Sequence, residues 1–505
     1  MMQFVRIWRF WVMGNEWPKI TFGELYSVPS RNGLTKPKKI RGEGFKFINM
    51  GEIFAFDRML NIPCDRVPLS DKEKSSSLVE SGDLLFARQS LTLDGAGKCS
   101  IFLGDDEPVA FESHLIRVRL NHELIDPQFA YYFFNSPLGK GEMWTIVEQG
   151  AGQAGIRGSD LMNLNIPCPG LNDQKRTVEI LSSLDNKIQL NRQTNQTLEK
   201  MAQALFKSWF VDFDPVIDNA LEAGNPIPPE LEARAKQRAE VLAQAQTEAG
   251  KLSQENANTG EGDNNPLAYL SPEIRKLFPS EFEEAEGAGW VPKGWKAGDL
   301  SFIATALGGF AFKSKDFLDE GKAVIKIKNI NASRGVDIYD VNRVSDEVAS
   351  AAGGFLLSDG DLVMAMTGAT VGKFGVIVSE DGESYYLNQR VCKLSARSKG
   401  GNAFLYSALN NPGIEEAVVS SAQGSAQPNI SASGILSISM VVPPENLIEM
   451  FNFELSSLYQ KRINLTRQNY KLANLRDTLL PKLISGELRL PSTANTEPSL
   501  KATTP

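Results

Sequence analysis

The sequence predicts an α+β chain in which two β-rich globular domains are joined by long helices packed as an antiparallel coiled coil, with a pseudo-two-fold internal repeat. Three observations predict it: the chain is written twice at a shift of about 274 residues, each copy carries glycine-punctuated strand-like runs, and each copy exits into a long heptad-spaced stretch. At 505 residues there is length for two or three domains with proper cores. The expected order is an N-terminal extension (1–16), a first β-rich domain (17–170), a central helix (171–212), a linker with an acidic, partly flexible insertion (213–289), a second β-rich domain (290–444), a distal helix (445–490) and a disordered tail (491–505).

The first residues, MMQFVRIWRFWV, mix aromatics with Arg6 and Arg9 and lack the apolar length and small-residue cleavage pattern of a secretory signal. Met13 opens a more ordinary start, so the preceding segment reads as a peripheral extension or an upstream start. No apolar run reaches membrane-span length. Cys64, Cys99, Cys168 and Cys392 are too scattered for a zinc knuckle, which suits a reducing cytoplasm.

The repeat sets the domain elements. Gly82-Asp83-Leu84-Leu85-Phe86-Ala87 leads to Gly97-Lys98 and then IRVRL, while Gly360-Asp361-Leu362-Val363-Met364-Ala365 leads to Gly372-Lys373 and then VCKL. Earlier strand-like stretches stand near Phe47 and Ile327. Further on, the shift superposes Gln149-Gly150 on Gln423-Gly424, Ile156 on Ile430, Pro169 on Pro443 and Ser182-Ser183 on Ser456-Ser457. Each copy therefore reads as strands, a proline-marked exit and a long helix.

Leu181, Leu184, Ile188, Asn191, Asn195, Leu198, Ala202, Leu205 and Trp209 follow the three-four spacing of a seam, and Leu458, Leu465, Asn469, Leu472, Leu479 and Leu483 repeat it, interrupted by Arg462 and Arg476. The spacing suits a helix pair or an amphipathic helix packed on its own domain; the pair is the favoured reading. Asn195 and Asn469 are related by the shift, and a polar seam residue fixes register. They are expected to face each other near the middle of an antiparallel pair. Asp173 to Phe210 would span about 57 Å as helix.

The linker begins proline-rich, continues Ala/Gln/Glu-rich near Arg234 to Lys251 and includes NANTGEGDNNP; it reads as a surface excursion outside the core, with one helix and a flexible loop. Between Asp218 and Glu286 stand fourteen acids against six bases, which accounts for the whole net charge of −8 and leaves the rest balanced.

Catalytic signatures are not evident. With only His114 and His122, Ser-His-Asp chemistry and histidine metal sites lack raw material. Gly368-Ala-Thr-Val-Gly372-Lys373-Phe374 is one residue short of a P-loop and lacks the Ser/Thr for magnesium, so it reads as a turn joining two strands. Asn410-Asn411-Pro412-Gly413 misses the second proline and the aromatic of an adenine-methyltransferase tetrapeptide. Asp316, Glu320 and Lys322 form a weak nuclease-like triplet of a kind common on surfaces.

Binding chemistry remains. Arg31, Lys36, Lys38, Lys39, Arg41 and Lys46 crowd one short stretch, matched in the second copy by Lys313, Lys315, Lys322, Lys326 and Lys328 diluted with acids. Each set is phosphate-binding or a solvated loop. Arg88 and Gln89 follow one repeated strand, and Asn388, Gln389 and Arg390 precede another; such side chains match guanine and adenine edges. The corresponding Phe111-Glu112-Ser113-His114 differs in chemistry while its scaffold is kept. Lys98 and Lys373 close the repeated turns, and the amide-bearing loops Gln149–Gln153 and Gln423–Gln427 are groove-approaching loops or tight structural turns.

The stretch IPCPGLNDQKRTVEILSSLDNKIQLNRQTNQTLEKMAQALFKSWFVDFDPV resembles the central region of the DNA-specificity subunits of type I restriction-modification systems. LFPSEFEEAEGAGWVPKGW and NYKLANLRDTLLPKLISGELRL resemble their other shared regions, so the likeness runs from about Trp17 to Leu490. The resemblance implies two target-recognition domains, each binding half of a bipartite double-stranded DNA site, and helices acting as a ruler. It implies a non-catalytic, cytoplasmic subunit on which two methyltransferase (modification) subunits dock and which restriction/translocase subunits then join, in phage defence. No cofactor is expected in this chain; S-adenosylmethionine, ATP and Mg belong to the partners. Competing readings are a specificity subunit serving a fused nuclease-methyltransferase, and a free-standing DNA-binding protein. The stretch 234–251 looks longer than the family linker.

Overall fold

The computed structural model describes residues 17–150, 152–255, 270–422 and 428–491, with backbone alone for 245–255. The expected extension 1–16, the NANTGEGDNNP loop, the tail beyond 491, Gln423 and Gln427 lie outside the described residues. The chain divides into two compact units: one runs up to Ile188 and returns from Lys471, the other is Gln189–Tyr470.

In the first unit, Leu84–Ala87 is buried along its whole length, which is why it reads as an unbroken apolar run. Its sheet has the order Tyr26–Asn32, Leu115–Leu120, Leu84–Ala87, Cys99–Gly104, Arg58–Leu60. A second sheet orders Asp65–Val67, Phe45–Ile48, Val109–Phe111, the last two parallel. Phe22, Phe86 and Phe134 fill the core edge-to-face, with Phe22–Phe134 at 4.8 Å and Phe86–Phe134 at 5.0 Å.

The second unit repeats this plan. Ala304–Gly308, Val391–Ala396, Leu362–Ala365 and Phe374–Val376 form one sheet in the corresponding order, and Lys322–Ile325 runs parallel to Tyr385–Leu387 in another. The Gly-Asp motif is structural in both. Gly82 and Gly360 hold φ of 93° and 82°, where a Cβ would be strained. Asp83 accepts the Glu80 amide at 2.7 Å and Asp361 the Ser358 amide at 2.8 Å. Asp83 then pairs with Arg119 and Asp361 with Lys393, each base lying on the neighbouring strand. As expected, the GATVGK run is a turn between strands Leu362–Ala365 and Phe374–Val376.

Two long helices dominate: a proximal helix, Leu171–Phe210, and a distal helix, Glu445–Ser485. Within the first unit, Val178 and Leu181 share a core with Leu480, Leu483 and Ile484, and Arg476 reaches Asp185 at 2.8 Å. Within the second, Asn191 meets Asn469 and the Phe206 ring lies 5.9 Å from Phe451. Rising numbers on one helix face falling numbers on the other, so the segments run antiparallel and the helix-pair reading stands. The seam is broader than predicted. Ile188, Leu198 and Leu483 are buried, whereas Leu184, Leu205, Leu458, Leu465, Leu472 and Leu479 are half-buried, and Leu455, Ile463 and Leu480 take deeper places.

The predicted Asn195–Asn469 pair does not form. Asn191 donates from Nδ2 to Asn469 Oδ1 at 2.9 Å and to Gln468 Oε1 at 2.8 Å, while Asn195 donates to Thr466 Oγ1 at 3.2 Å. The antiparallel register centres about two residues before Asn195, so Asn469 meets the residue one helical turn earlier.

The linker is also corrected. Its start, Asp214–Ala223, is helical with Val216, Ile217 and Ala220 fully buried, and Val216 belongs to the second unit's main core. Phe213 enters this helix at a left-handed φ of 54°, a conformation costing a non-glycine residue about 1 kcal/mol. Its ring is edge-on to Trp295 at 5.6 Å. The helix Glu232–Glu255 lies against Asp214–Ala223, with forked pairs from Arg234 to Asp214 and from Arg238 to Asp218. Four-residue spacing on both helices puts both pairs on one face.

Candidate nucleic-acid interface

The basic stretch of the first unit is partly neutralised from within. Lys36 bridges Glu73 at 2.9 Å, which with the Ser70 amide holds the Glu73 carboxyl down at about 2. Arg41 bridges Asp65 at 3.0 Å and lies over the Phe47 ring. Lys46 sits 2.9 Å from the buried carboxylate of Asp105, whose hydrogen bond raises the lysine's pKa. Lys98 bridges Asp57 at 3.0 Å. Arg31, Lys38 and Lys39 are exposed and make no ion pair among the described residues, so they are the positive charges this stretch offers to an anion.

Strand pairing brings other predicted residues together. Gln89–Ser90 pairs with Ala154–Gly155, which pairs with Glu148–Gln149, so Gln89, Gln149 and Gln153 converge. Gln89, His114 and Gln153 line an open depression of about 330 Å³ whose rim includes Leu91, 82% exposed. His114 Nδ1 lies 3.2 Å from Gln89 Oε1. Arg88 is half-buried, with its guanidinium 3.5 Å from the Ser113 carbonyl. Sequence reasoning did not assign His114 or Leu91 to the site. The available signal was His114's place at the end of a scaffold stretch whose chemistry differs between copies.

In the second unit, Lys328 bridges Asp340 at 2.8 Å and Lys322 lies 3.8 Å from Asp346. The Lys326 ammonium sits 3.4 Å over the Phe317 ring, and burial, then neighbouring Lys328, lowers its pKa. Lys313 and Lys315 are exposed, Lys373 half-buried. Asn388 is 8% exposed and its side-chain oxygen accepts the Arg390 amide at 3.4 Å, so this amide shapes the turn instead of facing outward. Gln389 and Arg390 are exposed beyond it.

The domains are tied to the helices by a tyrosine that the repeat preserves and sequence reasoning passed over. QFAYY and NAFLY align at the same shift, which puts Tyr132 on Tyr406. Tyr132 donates to Asp185 on the proximal helix at 2.7 Å, and Tyr406 donates to Glu199 at 2.7 Å. Arg462 stacks 4.6 Å over the Tyr406 ring.

The type I restriction modification DNA specificity domain family matches residues 14–200 and 292–464, once in each repeat. The HindI specificity subunit of Haemophilus influenzae is 26% identical over 458 residues, covering 88% of this chain and 94% of that relative. The MjaIX specificity subunit of Methanocaldococcus jannaschii is 23% identical over 365 residues, covering 72% and 69%. The crystal structure of the S subunit of a type-I restriction-modification system from M. genitalium aligns over 93% of this chain and 96% of its own, at 15% identity and a TM-score of 0.49. With both repeats matched over well more than half its length, this chain belongs to the type I restriction modification DNA specificity family.

Proposed function

We propose that this chain is the non-catalytic DNA-recognition subunit of a type I restriction-modification complex, acting in the cytoplasm. Its two recognition domains, 17–170 and 290–444, each read one half of a bipartite double-stranded site. The helices set the spacer and dock two methyltransferase subunits, which restriction/translocase subunits join; S-adenosylmethionine, ATP and Mg act on those partners. The observation that carries this reading is one strand-and-turn frame built twice with different outward side chains, as in the exposed His114 of one copy and the exposed Arg390 of the other. One frame with two chemistries is what reading two different sequences requires.

Co-expression with the methyltransferase subunits, followed by mapping of methylated adenines, tests it; the expected product is a split motif. Matched insertions of one turn, about 5.4 Å, in both helices should lengthen the spacer by one or two base pairs at about 3.4 Å each. The half-sites should not change. Altered half-sites with an unchanged spacer would refute the role given to the helices.

A further inference from the structure

Backbone hydrogen bonds place His114 and Arg390 at the same point of the repeated frame. The Arg88 amide donates to the His114 carbonyl at 2.9 Å, and the Met366 amide donates to the Arg390 carbonyl at 3.0 Å. The Arg88 carbonyl accepts from Ile156 and the Met366 carbonyl from Ile430, both at 2.9 Å. The preceding turn matches too: Ser113 donates to Leu34 and Gln389 to Phe310, at 2.9 and 2.8 Å. Behind each turn stands a glycine with no room for a side chain. A Cβ on Gly33 would come within 2.0 Å of the Phe111 carbonyl oxygen, and one on Gly309 within 2.2 Å of the Asn388 carbonyl oxygen. The backbone is thus fixed in both copies while the side chain it presents differs.

Both side chains are exposed, and their chemistry is not interchangeable. Arg334 is held by Asn410 and Glu415, Arg343 by Glu383, and Arg397 by the Ser301 and Ala304 carbonyls. Among the described residues of 290–422, Arg390 is the arginine whose guanidinium makes no hydrogen bond or ion pair. A free guanidinium fork on a rigid turn matches the two acceptors of guanine, O6 and N7. His114 is engaged with Gln89. That contact holds the imidazole against an amide, so this position presents a ring and not a guanidinium fork. It lacks the two parallel donors with which a guanidinium matches the O6 and N7 acceptors of guanine.

We propose that Arg390 and His114 are equivalent specificity-determining residues, Arg390 reading a guanine in one half-site and His114, with Gln89, reading a base other than guanine in the other. This rests on the DNA-recognition reading above. The test uses the complex of full-length chain and methyltransferase subunits, binding its mapped site with 7-deazaguanine placed at each guanine in turn. In the wild type, loss of N7 at one guanine should weaken binding about 10- to 100-fold, and in Arg390→Ala that penalty should vanish. Arg390→Lys keeps the charge and donors but not the rigid fork and should keep only part of that penalty. His114→Ala should relax one base pair in the opposite half-site.

A wild-type complex without sequence preference would overturn the recognition reading itself. A split site read normally, with the 7-deazaguanine penalties unchanged in Arg390→Ala, would overturn this inference alone. So would uniform weakening on all sequences with a shallower salt dependence, the mark of a phosphate contact, or both variants relaxing the same half-site.

Discussion

Lys46 and Lys38 stand close together in the sequence and do different work. Lys46 lies between Asp105 and Glu107 and stitches strands together, whereas Lys38 and Lys39 end in solvent. Replacing both Lys38 and Lys39 with alanine should leave thermal stability unchanged and flatten the dependence of log K on log salt by up to about 2, near 0.9 per phosphate contact. Lys46→Ala should do the reverse, lowering the melting temperature with little change in slope. Binding isotherms across salt, with a melting curve for each variant, check both. Residue chemistry counted along the chain shows where positive charge is dense. It does not show which carboxylate folding brings to each base, because Asp105 and Asp65 come from distant strands or loops.

At the scale of elements, the helix pair shows how close a sequence argument comes to register and where it stops. Heptad spacing locates both helices, and the asparagines mark the polar layer, yet the layer pairs Asn191 with Asn469. An offset of a few residues along a seam alters no residue's apolar character, so periodicity alone cannot fix it. Asn191→Leu should cost about 1 kcal/mol by leaving the Asn469 oxygen without its donor. Adding Asn469→Leu should recover most of that loss, since replacing both partners by apolar groups is close to neutral. A double-mutant cycle by chemical denaturation measures the coupling. The same cycle on Asn195 and Asn469 should show none. The buried start of the linker was illegible for a related reason: Val216 lies in a proline-rich, charged stretch, and the surrounding aromatic cluster of Trp209, Phe213, Phe278 and Trp295 makes it core.

For the whole molecule, the repeat was the most legible feature because it is enforced by backbone geometry. Gly82 and Gly360 adopt the same left-handed turn, Asp83 and Asp361 accept the same amide, and each anchors a base on the next strand. Those demands leave identical letters in the sequence. The outward side chains leave none, since a reader of two different half-sites has to differ at those positions, and their roles emerge only when the backbone pairs His114 with Arg390. Recognition therefore turns on independent reading by two copies of one frame. Exchanging residues 17–170 for the corresponding domain of another family member, and mapping methylated adenines with the same methyltransferase subunits, tests that directly. One half-site should change while the other half-site and the spacer stay as they were; a change in both half-sites, or in neither, would contradict independent reading.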